Sequence, residues 1–129
     1  MTSLSPCGLV VRFGGDVQVL NTLKEFETRA TRLLAKDTVP EQHVETLCSC
    51  ASVADLCLGE HGYSITLSSI DLPIERVVFD KPIVNGTYGD LLTGFVAFLE
   101  NGEFTLECFA YGEDTIPANY RDLEITVFV

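Results

Sequence analysis

The stretch Gly94-Phe95-Val96-Ala97-Phe98-Leu99-Glu100-Asn101-Gly102-Glu103-Phe104-Thr105-Leu106-Glu107-Cys108-Phe109-Ala110-Tyr111 decides the fold. Two apolar runs flank Asn101-Gly102, a dipeptide suited to a type I′ turn because both central positions need positive φ. A two-residue turn then fixes the pairing of the strands. Glu100 falls opposite Glu103, Leu99 opposite Phe104, Ala97 opposite Leu106 and Phe95 opposite Cys108. That face is apolar below the turn and is expected to form core. The reverse face carries Phe98 opposite Thr105, Val96 opposite Glu107 and Gly94 near Phe109. It is neither a normal polar surface nor a core.

Outward from the hairpin, other segments follow the same period of two. Tyr63, Ile65 and Leu67 alternate with Ser64, Thr66 and Ser68, the pattern of a half-buried strand. Asp71-Leu72-Pro73 breaks the chain. Arg76–Phe79 is short and apolar, and Lys81-Pro82 either stops it or makes it an edge strand. Asn85-Gly86 and Tyr88-Gly89-Asp90 read as turns. Beyond the hairpin, Ile116-Pro117 closes a turn and Leu123–Val129 reads as a last strand, with Ile125, Val127 and Val129 on one side.

The N-terminal part follows a helical period. After strand-like Leu9–Phe13 and the Gly14-Gly15 break, residues 17–36 place Leu20, Leu23, Phe26, Ala30, Leu33 and Leu34 at three- and four-residue steps. Asp16 or Asn21 could cap that helix. Lys24, Glu25, Arg29 and Arg32 fill its other faces. Thr38-Val39-Pro40-Glu41 has the form of a capping box. Val44, Leu47, Ala51, Ala54 and Leu58 then form a stripe that predicts a second helix over about 40–58, with a strand at 43–50 as the competing reading. No repeat or linker divides the 129 residues, so one domain is expected. Helices first and strands afterwards give an α+β fold: an antiparallel sheet of four to six strands with one or two N-terminal helices packed on one face.

Charge narrows the partner. Nineteen acids against eight Lys and Arg leave a net charge of −11. Residues 82–129 hold eight acids against Arg121 alone. Nucleic acid and anionic membranes are therefore excluded as expected partners, because each phosphate contact would want a cation. Met1–Gly8 has neither the basic start nor the apolar run of a secretion signal. With an odd cysteine count (Cys7, Cys48, Cys50, Cys57 and Cys108), that predicts a cytoplasmic protein with free thiols.

Chemistry finds little to hold on to. His43, Cys48, Cys50, Cys57 and His61 lie within nineteen residues, but C-x-C is not a zinc knuckle, and small thiols pack like Ala or Val. No local signature activates a cysteine or serine nucleophile beside either histidine. His61, in Gly59-Glu60-His61-Gly62, reads as an exposed turn residue. Gly14-Gly15 lacks the further glycine and lysine of a phosphate cradle. The expectation is no enzyme, no metal and no cofactor.

The mixed hairpin face remains. Val96, Phe98, Phe109 and Tyr111 sit among Glu103, Glu107, Glu113 and Asp114, an apolar centre ringed by one charge sign. The bland alternative is that another layer of the fold covers this face. The run Gly94–Glu107, with Tyr111-Gly112-Glu113 and Ile116-Pro117, resembles small bacterial immunity proteins of polymorphic and contact-dependent toxin systems. The resemblance implies a protein that binds and occludes a cognate toxin domain in the producing cell, with no catalytic residue. The acidic charge fits a basic toxin. An acidic nucleic-acid mimic from a mobile element, or another binding or structural domain, is the alternative reading. In either case, reversing Glu107 and Glu113 should weaken binding, and reversing Glu25 and Glu27 should not.

Overall fold

The computed structural model describes residues 11–13, 16–18, 23–112 and 114–129. Strands β1 (Val11–Phe13) and β2 (Asp16–Gln18) precede helix α1 (Glu25–Ala35) and the short α2 (Glu41–Glu45). A π-helical turn over Thr46–Cys50 leads into β3 (Ser52–Leu58) and β4 (Gly62–Ser68). Next come β5 (Val77–Tyr88), β6 (Leu91–Glu100) and β7 (Glu103–Ala110), then a 3-10 turn at Tyr120–Asp122 and β8 (Thr126–Phe128). Strands β3 to β8 form one antiparallel sheet in the order β3-β4-β7-β6-β5-β8, and among the described residues β1 pairs only with β2. This is the expected α+β fold.

The β6–β7 hairpin has the register its turn dictates, from Glu100–Glu103 down to Thr93–Ala110. Asn101 at φ 55° and Gly102 at φ 78° supply the two positive values. The inner face of the sheet, with Ile65, Leu67, Phe79, Val84, Phe95, Leu99, Phe104 and Leu106 all buried, meets Phe26, Ala30 and Leu34 of α1.

Four local expectations are corrected. Residues 16–18 are strand, not the start of the helix, because they pair with Val11–Phe13. The helix begins only at Glu25, where the Lys24 backbone N–H donates to Glu27 Oε1 at 2.7 Å; Asn21 and Gly14-Gly15 lie outside the described residues. The second helix ends at Cys50 rather than 58. Val44, Leu47 and Ala51 are buried as the stripe implies, but Ser52–Leu58 pairs with β4 through a two-residue turn closed by Gly59 N–H to Gly62 O at 2.8 Å. Sheet pairing outweighs a helical period that Ala54 and Leu58 continue only by spacing.

The third correction is at Asn85-Gly86, which lies inside β5 and not in a turn. A Cβ on Gly86 would stand 2.9 Å from both Ile125 Cγ2 and Phe95 Cε2, so the glycine permits close packing. Lys81-Pro82, joined by a cis bond, does not stop the strand; it sits in a bulge where the β5–β6 register shifts between Phe79 and Val84, on a stretch of β5 that β8 does not pair and that is edge strand, the other expectation, among the described residues. Fourth, the last strand is only Thr126–Phe128. Ile125 and Val127 are buried, but Val129 is exposed.

Among the described residues Glu27, Thr31 and Thr93 are the polar residues buried in this core. Glu27, whose reversal should leave binding unchanged on the sequence alone, is fully buried. Arg121 and the Tyr63 hydroxyl both donate to its carboxylate. Burial, with the Glu27 carboxylate beside it, pushes the Tyr63 hydroxyl far above its ordinary range. A second chain runs through Thr93 Oγ1, which donates to Gly86 O at 3.2 Å and lies 2.7 Å from Tyr120 Oη.

Candidate binding face

An antiparallel sheet with helices on one side leaves its other face to account for. The strand registers place the outer face in rows across the sheet. One row runs Val78, Phe98, Thr105, Thr66, and the next Val96, Glu107, Ser64, Cys57. A third runs Phe128, Asn85, Gly94, Phe109, Gly62. The face is therefore divided. Apolar side chains gather on β5, β6 and β8 and at Phe109 of β7, and hydroxyls and carboxylates lie on β3, β4 and the rest of β7.

Val96, Phe98 and Phe109 are half-buried, and Val78, Leu92, Phe128 and Tyr111 are exposed. Helix α1 packs on the opposite, inner face. Gly94 shapes the centre. A Cβ there would stand 2.6 Å from Phe109 Cζ and 2.7 Å from Tyr111 Oη, so only glycine lets these two rings lie across β6. The rings meet edge to face at 5.4 Å, and the Tyr111 hydroxyl donates to Asn85 Oδ1 at 2.6 Å.

The expected acids do not form one ring. Glu107 is exposed in the middle of the face, next to Val96. Glu103 stands at the hairpin end beside Glu100, where Arg76 reaches Glu100 at 2.9 Å and offsets the like-charge pair. Asp114 lies at the opposite end, where its carbonyl contacts His61 Nδ1 at 2.9 Å. Glu113 falls outside the described residues. Six residues of extended strand, ~20 Å, separate Glu103 from Phe109. Sequence reading missed Val78 and Phe128, whose places on this face depend on which strands β5 and β8 join, and Leu92, which the period of two continued from Gly94, Val96 and Phe98 already placed there. The alternation of Val77, Val78 and Phe79 was the one signal for the first.

Reactive groups are dispersed. Cys48 is half-buried, Cys57 exposed and Cys108 buried, all as free thiols. Burial raises the Cys48 thiol and lifts that of Cys108 to about 11, which makes both poor nucleophiles. Among the described residues no three His, Cys, Asp or Glu side chains converge as metal ligands, and no helix is long and apolar enough to cross a membrane. No protein-family model, curated protein or solved structure matches this chain.

Proposed function

We propose that this protein is an inhibitor of the immunity type, which binds a basic toxin domain in the producing cell and occludes it with the outer face of its sheet. The observation that carries the reading is an outer sheet face on which the Phe109–Tyr111 pair and, two rows along, Phe98 are not buried, with Glu107 the charge between them among the described residues. Aromatic anchors on a strand-built surface supply affinity, and exposed acids such as Glu103 and Glu107 speed association with a basic partner. The net charge of −11 supports the sign of that partner.

A pull-down against candidate toxin domains encoded by flanking genes tests the reading. Reversal of Glu103 and Glu107 to Lys should slow association, and raising salt above ~0.1 M should slow it further as the ~10 Å screening length shortens. Glu27 cannot serve as the control, being buried against Arg121. Exposed Glu25 and Asp37 on the helical side can, and reversing them should leave association nearly unchanged. The opposite ranking would move the interface to the helices.

A further inference from the structure

Strand β3 ends the sheet, and among the described residues no strand pairs with its far side. The Gly59 N–H to Gly62 O bond sets the alternation along the β3–β4 pair. Cys57 and Asp55 therefore bond to Ser64 and Thr66, and the N–H and C=O of Leu56 and Leu58 point to the open edge. Natural edges are usually blunted by lysine, proline, a bulge or inward-pointing charge. Of these devices β3 has one charge, Asp55, and a bulge between Val53 and Asp55; the stretch beyond the bulge carries no lysine or proline, and Leu56 and Leu58 on it are 38% and 57% exposed.

We propose that β3 pairs antiparallel with β3 of a second copy, around a twofold axis at Cys57, to join the two sheets. Three facts select this register. The bulge between Val53 and Asp55 confines regular pairing to residues 55–59. Centring on Cys57 sets Leu56 against Leu58 of the other copy twice over, which covers the two exposed leucines and satisfies their outward backbone groups. It also sets each Asp55 opposite Gly59, at the two ends of the contact; centring on Asp55 would face two carboxylates. A self-complementary patch of this kind is what a twofold interface requires. Five paired residues per copy cover less than the ~1,200 Å² of a standard interface, so the dimer is weak.

The test uses the full chain with Cys7, Cys48 and Cys50 replaced by Ser, leaving Cys57 and buried Cys108. Sedimentation of the reduced protein over a concentration series is expected to show a monomer–dimer equilibrium. It should tighten with added salt, because two chains of like charge repel, opposite in sign to binding a basic partner. Diamide should link Cys57 to Cys57 across the axis, each thiol giving up one proton and one electron to the oxidant. Leu56→Lys, checked for fold by circular dichroism, should weaken self-association about tenfold and suppress the crosslink. Cys57→Ser with Asp55→Cys should not crosslink, since position 55 faces Gly59. A monomer at every concentration and salt, or a crosslink through position 55, would overturn the proposal.

Discussion

Arg121 holds Glu27 with two prongs, Nε to Oε2 at 2.7 Å and Nη2 to Oε1 at 2.8 Å, between residues 94 positions apart. The contact ties the 3-10 turn near the C-terminus to the first turn of α1, over a fully buried carboxylate. Removing one partner strands the other's charge in a low-dielectric site. Glu27→Ala or Arg121→Ala should each cost about 3–5 kcal/mol in urea unfolding. The double variant Glu27→Leu, Arg121→Leu should cost clearly less than the sum. A single loss below ~1 kcal/mol would mean that water reaches the pair.

Thr31 Oγ1 is buried on α1 and has no hydrogen-bond partner among the described residues. Valine has nearly the same shape and carries no unpaired hydroxyl. Thr31→Val should therefore be neutral or stabilising by about 1 kcal/mol, read as a shift in the unfolding midpoint.

Phe104 is fully buried and meets Phe79 edge to face at 5.7 Å. Phe104→Ala should cost about 3–5 kcal/mol, the transfer and cavity penalty of a core aromatic. A loss under ~1 kcal/mol would contradict the side of the sheet assigned to the core.

Stability should fall in alkali. Burial raises the Cys108 thiol from an ordinary 9.0 to about 11, so between these pH values the unfolded chain binds fewer protons than the folded one. The contribution is whole below pH 9, and on the order of 2–3 kcal/mol is lost as pH passes 11. Burial acts in the same direction on the Tyr63 and Tyr120 hydroxyls. Unfolding measured across this range should show a shallower slope in Cys108→Ala, and an unchanged slope would assign the loss to the tyrosines.

Gly94→Ala should displace the Phe109–Tyr111 pair, since the new Cβ would fall 2.6 Å from Phe109 Cζ. The expected cost is about 1–3 kcal/mol with a changed near-ultraviolet spectrum. Tyr111→Phe, which loses only the bond to Asn85, should cost no more than about 1 kcal/mol.

The β6–β7 hairpin and its core face were legible because both causes are local. Asn101-Gly102 sets the register, and a period of two sorts Phe95, Ala97 and Leu99 from Val96 and Phe98. The same alternation identified β4, and the helical period identified the buried face of α1. Segment 40–58 was ambiguous for a physical reason. Val44, Leu47 and Ala51 satisfy a helix, whereas the residues after them gain more from pairing with β4.

The sequence by itself determined the α+β class, the hairpin register and a mixed face carrying Val96, Phe98, Glu107 and Phe109. The tertiary structure alone decided that β3 ends the sheet among the described residues, that Glu27 is buried and that Val78 and Phe128 share the outer face. Periodicity reports which side of its own element a residue occupies. It does not report what stands opposite, and Glu27 is inside only because Arg121 and Tyr63, far along the chain, arrive to satisfy it.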